Sequence, residues 1–178
     1  MVPILQLTLK LSFLIVSFED ITELSSELVR FYSVKLGSDS LCEFEKFDAL
    51  ELIESGHLEE RSILYTVLDE MTWRGAKRYF FKPEGAASAL PRITALQADK
   101  NLHDFGLRLY CVWINENAVV LLNGGIKTTH NPLQCPNVKD HFRRALRIAQ
   151  KIDRALKDDL IAFSKNGVRV DESFEFDI

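Results

Sequence analysis

The stretch that decides the fold is residues 106–123, GLRLYCVWINENAVVLLN. Residues 106–115 are rich in β-branched and aromatic side chains, which strands favour. The polar run at 115–117 has the composition of a tight turn. Residues 118–123 then form a nearly continuous apolar run, which is typical of a central strand. The stretch therefore predicts a β-hairpin in the middle of a sheet.

The residues that follow the hairpin combine two glycines, a lysine and a histidine. The pair Gly124-Gly125 at a strand end predicts either flexibility or the close approach of another backbone. Lys127 and His130 come next, so we expect both at the rim of the sheet. The chain lacks the motifs GxxxxGK[ST], GxGxxG, HExxH and GxSxG, so the glycine pair does not predict a nucleotide-binding loop.

A long amphipathic helix is predicted from near Pro136, a residue favoured in the first helical turn. Its apolar side chains recur at steps of three and four residues and are Val138, Phe142, Ala145, Ala149, Ile152, Leu156 and Leu160. The opposite side carries four cations, Arg143, Arg147, Lys151 and Arg154. The sequence thus predicts one buried face and one cationic face.

The first part of the chain predicts one strand and three helices. Residues 5–13 alternate strictly between apolar and polar side chains, which predicts a strand that continues toward Phe18. Helices are predicted over 20–36, 43–55 and 59–73, because apolar residues recur at helical spacing and a glycine follows each segment.

The remaining segments give weaker patterns. KRYFFK (77–82) predicts a short strand, PEGAAS (83–88) a loop, and 91–98 a further strand. The acidic tail 165–178 predicts either a short edge strand or a frayed end.

Composition bounds the class of protein. The 178 residues suffice for one domain, and 47% apolar against 27% charged residues predicts a folded chain. Three widely separated cysteines fit neither a disulfide framework nor a zinc site, which favours a reducing compartment. Without a signal-peptide pattern or an apolar run of about 20 residues, we expect a soluble, cytoplasmic protein with no membrane partner.

Charge divides the chain into three parts. Residues 1–73 contain 5 Lys/Arg and 14 Asp/Glu, 74–157 contain 15 and 6, and 158–178 contain 2 and 6. A basic segment between acidic ones predicts a phosphate-binding surface that an acidic neighbour partly masks. The alternative is that the two halves pair with each other and with nothing else. We expect a single domain over 1–178, with an acidic half (1–75), a basic half (76–163) and an acidic tail (164–178).

Three residues around the hairpin are candidates for binding phosphate. Arg108 and Tyr110 share one face of their strand because side chains alternate between faces. Together with Lys127 and the cationic helix face, they could ring a concave surface. In the alternative, Arg108 pairs with a carboxylate, Tyr110 packs with its hydroxyl in water and Lys127 is solvated. The histidines do not show metal-ligand spacing, so neither a metal nor another cofactor is expected.

The segment LRLYCVWINENAVVLLNGGIKTTHNP (107–132), followed by a helix with Ala145 and Ala149, resembles the C-terminal half of the RelE/ParE toxin superfamily, especially its HigB-like, phage-derived branch. The resemblance covers about residues 78–156. It implies an α+β fold with helices on one side of a small, twisted antiparallel sheet, here with an extra acidic helical N-terminal region. It also implies a toxin of a toxin–antitoxin system. Its partners would be a cognate antitoxin and RNA or the ribosome.

Many members of that superfamily are metal-independent endoribonucleases that cut mRNA on the ribosome, and others act on DNA gyrase. Arg108 matches the family's strand arginine, Tyr110 an aromatic position of the same strand, and Lys127 the lysine after the apolar strand. By this resemblance Arg108 and Lys127 would stabilise charge on the attacked phosphate. His130 would act as acid or base, and Tyr110 would stack a base or move a proton.

Further cations are candidates for binding the nucleic acid itself, namely Arg78, Arg143, Arg147, Lys151 and Arg154. Two departures from the family pattern leave a second function open. The chain is longer than a typical member, and Thr128 stands where a second lysine is common. The alternative is a catalytically inactive RelE-fold or phage-related protein that binds RNA or a protein partner, since a fold alone does not fix a function.

Overall fold

A computed structural model describes residues 16–50, 56–92 and 106–174. Six strands form one sheet in the order β1-β2-β6-β5-β4-β3. They are β1 (Val16–Asp20), β2 (Arg30–Leu36), β3 (Lys82–Glu84), β4 (Ala87–Leu90), β5 (Gly106–Asn115) and β6 (Ala118–Lys127). The helices are α1 (Glu43–Asp48), α2 (Leu58–Arg74) and α3 (Lys139–Lys157). A separate hairpin pairs β7 (Ile161–Ser164) with β8 (Gly167–Val170).

The predicted hairpin is confirmed as β5 and β6 at the centre of the sheet. It is longer than expected, because β6 runs on through both glycines and ends at Lys127. A side chain at Gly124 is excluded, since its Cβ would lie 1.9 Å from the carbonyl oxygen of Arg108. Of the two predicted uses of the glycine pair, flexibility and close backbone approach, the structure therefore favours close approach.

The sheet is mostly antiparallel, as the fold class predicted, with one exception. β2 pairs with β6 in parallel over three residues, from Arg30 opposite Ala118 to Tyr32 opposite Val120. Beyond that point α1 packs against both strands. The acidic first half of the chain thus contributes two strands to the same sheet as the basic half.

Helices cover both faces of the sheet, whereas the family resemblance implied helices on one side. α1 and α2 pack on the face that carries Leu107, Leu109 and Cys111. α3 and the β7–β8 hairpin pack on the opposite face, against Tyr110, Val112 and Val120. Burial of apolar side chains on both sides explains why the central strands are almost continuously apolar.

The helix predicted over 20–36 is wrong. Residues 30–36 form β2, and 21–29 form a connection with turns. The apolar residues Ile21, Leu24, Leu28 and Phe31 are spaced as in a helix, but this spacing is coincidental. β2 is an interior strand with side chains buried on alternate faces, Phe31 in the first core and Tyr32 in the second, so it carries no clear period of two.

The strand predicted over 77–82 and the loop over 83–88 are also wrong. Residues 78–80 form a 3₁₀ turn, and β3 and β4 form a hairpin around Gly85, whose φ is +68°. Pro83 lies in β3, the edge strand of the sheet, where its missing N–H removes no ladder bond.

Two predicted helices are confirmed, with changed bounds. α2 matches the prediction over 59–73, and α3 begins at Lys139, three residues after Pro136. Within the prediction over 43–55, α1 covers 43–48, and 51–55 lie outside the described residues. The strand over 5–13 and most of that over 91–98 also lie outside them. No helix among the described residues is long and apolar enough to cross a membrane.

Candidate functional site

The sheet register brings three predicted site residues onto one face. Arg108 lies opposite Gly125, and Lys127 lies opposite Gly106, so the two cations are diagonal neighbours across β5 and β6. Tyr110 follows two residues after Arg108 and points to the same side, where it packs in the core beneath α3. The predicted grouping of Arg108, Tyr110 and Lys127 therefore exists in the fold.

This group is buried, which neither sequence interpretation anticipated. The exposed fractions of Arg108, Tyr110 and Lys127 are 4%, 1% and 3%. The segment that leads into α3 lies against the same end of the sheet: the Cβ of an alanine at Gly125, opposite Arg108, would lie 3.0 Å from the Asn137 carbonyl oxygen. The Asn137 side chain also donates to the Ile126 carbonyl at 3.1 Å. The three residues thus form a packed end of the sheet rather than an open rim.

Polar contacts tie this buried group to the backbone and to a neighbouring carboxylate. The Arg108 guanidinium donates to the Leu107 carbonyl at 2.8 Å. Burial raises the pKa of the Tyr110 hydroxyl, and the nearby Glu84 carboxylate raises it further. Tyr110 therefore stays protonated at neutral pH and is a poor proton acceptor.

Cys135 lies beside this group and was not predicted as a site residue. Burial would raise the pKa of its thiol, but hydrogen bonds from the Thr128 hydroxyl and from the backbone amides of Thr128, Asn137 and Val138 lower it to about 7. The Thr128 amide lies 3.4 Å from the sulfur. The sulfur thus sits among donors at the start of α3, where a thiolate is stabilised. Its place just before Pro136 and the predicted start of the helix was the sequence signal.

His130 stands apart from the buried group in its environment. It is exposed, in the connection between β6 and the 3₁₀ turn Pro132–Gln134. An acid or base at His130 would act in solvent, whereas Arg108 and Lys127 are buried.

The four cations predicted on the outer side of α3 are more accessible. Arg143, Arg147 and Arg154 are exposed and Lys151 is half-buried, while the opposite side of the helix packs on the sheet. We call these four residues the cationic stripe. Arg143 lies 3.8 Å from Asp140 and Arg154 lies 3.7 Å from Asp158, so both ends carry a counter-charge.

The centre of the stripe differs from its ends. No carboxylate stands three or four residues along the helix from Arg147 or Lys151. The helix as a whole contains seven Lys/Arg and two Asp. This part of the surface therefore carries a concentrated positive potential that nothing adjacent on the helix neutralises.

The acidic half of the chain contacts α3 through one buried carboxylate. Glu43 is 1% exposed and pairs with Lys46 at 2.6 Å and with Arg144 at 3.4 Å. Arg144 is adjacent to the stripe residue Arg143 but points away from the stripe toward α1. An ion pair thus joins α1 to α3, and this contact does not involve Arg147 or Lys151 at the centre of the stripe.

Arg78, the remaining predicted cation, stacks on an aromatic ring. Its guanidinium carbon lies 3.7 Å from the centroid of the Trp113 ring, a cation–π contact. The Trp113 indole N–H donates to the Ala76 carbonyl at 2.6 Å, which fixes the orientation of the ring. No local pattern predicts this pairing, because the two residues are distant in the chain.

Among the described residues, no group of three or more His, Cys, Asp or Glu side chains is arranged to hold a metal ion. A comparison with protein-family models, curated proteins and solved structures finds no match to this chain.

Proposed function

We propose that this protein binds RNA through the cationic stripe of α3 and is a binding module rather than a nuclease. The observation that carries the proposal is the centre of the stripe, where the exposed Arg147 and the half-buried Lys151 have no carboxylate three or four residues away on the helix. Guanidinium and ammonium groups on one accessible face are suited to phosphate oxygens. From Arg143 to Arg154 the stripe extends about 16 Å. That length matches about five stacked nucleotides.

The burial of Arg108 and Lys127 argues for binding over cleavage. A phosphate cannot reach cations that are 4% and 3% exposed. Transesterification also needs a group that accepts the proton of the 2′-hydroxyl, and Tyr110 with its raised pKa is unsuited to that task. The RelE/HigB-like toxin with endoribonuclease activity and a cognate antitoxin remains a prediction of the sequence resemblance.

The test is RNA binding by fluorescence anisotropy as salt is varied. We expect wild type to bind short RNA, with a logarithmic affinity that falls linearly with the logarithm of salt concentration. The double variant Arg147→Ala/Lys151→Ala should bind about tenfold or more weakly and with a shallower salt slope, by roughly 0.7 per lost contact for single-stranded RNA. Arg74→Ala removes an exposed arginine from the end of α2 and is the matched control.

Equal loss in the Arg74→Ala control would show that only general charge matters, and it would overturn the proposal. A wild-type protein that does not bind RNA would also overturn the proposal. The same proteins are assayed for mRNA cleavage on translating ribosomes. Cleavage by wild type that Arg108→Ala or Lys127→Ala abolishes would replace the binding function with the endoribonuclease.

A further inference from the structure

A groove of 480 Å³ lies beside the cationic stripe, between α3 and the ends of β4 and β5. One wall is the second half of α3, with Ala149, Gln150 and Asp153. The other wall holds Trp113, with the Arg78 guanidinium stacked on its ring. The volume falls within the range of small-molecule sites, about 300 to 1,000 Å³.

The groove is continuous with the stripe along the helix. Gln150 has Arg147 three residues before it and Arg154 four residues after it, so both cations flank the groove one turn away. A strand of nucleic acid whose phosphates lie on the stripe therefore has the groove within reach of its bases.

The lining offers both parts of base recognition. Apolar side chains, Val112, Ile114 and Leu156, suit the face of a flat ring. Ser88, Gln150 and Asp153 supply polar groups for its edge. A guanidinium plane such as that of Arg78 is a stacking surface for an unpaired base. The exposed Arg78 is held in place because its ring partner Trp113 is itself fixed by a hydrogen bond to Ala76.

We infer that the groove holds one unpaired base of single-stranded RNA, stacked against Arg78 and read at its edge by Gln150 and Asp153. The inference rests on the RNA-binding function proposed above and adds a preference for single strands. A duplex keeps its bases stacked inside, so it can reach the stripe but not the groove.

Asp153 adds a preference among bases. A carboxylate accepts hydrogen bonds, so it pairs with the exocyclic amino group of cytosine and repels the carbonyl oxygen that uracil carries at the same position. The carboxylate is held by Lys157 at 2.7 Å, one turn further along α3. The groove therefore favours cytosine over uracil.

The experiment compares a short oligocytidine, an oligouridine of equal length and an RNA duplex of that length by anisotropy. We expect wild type to bind oligocytidine most tightly. Arg78→Ala, and separately Ala86→Trp, which fills the groove from an exposed turn residue, should weaken oligocytidine binding about tenfold. Both variants should bind duplex within about twofold of the wild-type affinity. Asp153→Asn should bind oligocytidine and oligouridine with nearly equal affinity.

A spectroscopic readout tests the location directly. The chain has two tryptophans, Trp73 and Trp113. In a Trp73→Phe background the fluorescence comes from Trp113, and oligocytidine should change its intensity at saturation while duplex should not. Arg147→Ala in the same background should weaken the binding of both oligocytidine and duplex, since Arg147 belongs to the cationic stripe.

The outcomes separate the two proposals. Binding that depends on Arg147 but is unaffected by Arg78→Ala and by Ala86→Trp would overturn the proposal of a base-binding groove. It would still support the RNA-binding function. Equal wild-type affinity for single strand and duplex also overturns the groove alone. A chain that binds none of the three RNAs overturns both.

Discussion

The buried cations Arg108 and Lys127 have the same chemistry as the surface cations Arg147 and Lys151, but a different environment. The first two are 4% and 3% exposed at the end of the sheet. The second two lie at the centre of the outer side of α3, exposed and half-buried. Removing a cation from water costs free energy that neighbouring polar groups must offset, whereas a surface cation keeps its hydration. The comparison shows that a positive charge in the sequence does not reveal whether it stabilises the fold or meets a ligand.

The comparison predicts that Arg108→Ala affects folding and Arg147→Ala affects binding. Arg108→Ala leaves a cavity and removes the bond to the Leu107 carbonyl, so it should lower the free energy of unfolding by about 4 kcal/mol. Arg147→Ala is the matched control and should change it by less than about 0.5 kcal/mol. Denaturant unfolding measures both. A similar decrease in the free energy of unfolding for both variants would mean that Arg108 is not buried in solution.

The two glycines at the buried end of the sheet differ in how closely other backbone approaches them. At Gly124 an added Cβ would lie 1.9 Å from the Arg108 carbonyl oxygen. That oxygen belongs to the backbone of the central strand β5, which cannot move without disturbing the sheet. At Gly125 an added Cβ would lie 3.0 Å from the Asn137 carbonyl oxygen, which moves with the loop before α3. Gly124→Ala should therefore destabilise by about 3 kcal/mol and Gly125→Ala by about 1 kcal/mol. Thermal unfolding with denaturant titration would rank them, and the reverse order would contradict this packing.

Cys135 adds a pH dependence to the same region. Its pKa in the folded protein is about 7, against an ordinary value of 9.0. Between these values the unfolded chain holds a proton that the folded protein has lost, so stability rises with pH from about 7 and levels off above about 9. The gain should be on the order of 2 kcal/mol.

Cys135→Ser is the control, because serine keeps the hydrogen bonds and does not ionise in this range. Denaturant unfolding of both proteins is compared under reducing conditions at several pH values. Burial raises the thiol pKa of Cys42 and Cys111, but both residues are present in both proteins, so their contribution cancels from the comparison. Parallel stability curves for wild type and Cys135→Ser would show that the thiol keeps an ordinary pKa.

Patterns with one buried face were predictable from the sequence. α3 has apolar residues at steps of three and four because one side packs on the sheet, and its cationic side was identified residue by residue. α2 was predicted for the same reason, whereas the β5–β6 hairpin was predicted from its β-favouring residues, its polar turn and its apolar return strand. β2 was missed because it is interior, and an interior strand buries both faces and loses the alternation that identifies a strand.

The candidate site was predictable in its grouping and not in its exposure. Alternation along β5 places Arg108 and Tyr110 on one face, which is a local rule. Whether a second layer covers that face depends on where the start of α3 lies, and this is a contact between distant segments. Arg78 and Trp113 show the same limit, since their stacking joins residues 35 positions apart.

The sequence by itself determined the central hairpin, the two long helices and the cationic stripe, because each depends on periodicity or turn chemistry within a short segment. Only the tertiary structure decided that helices pack on both faces, that Arg108 and Lys127 are buried, and that a groove opens beside the stripe. The physical reason is that burial and cavities arise from contacts between elements far apart in the chain, which local patterns do not encode.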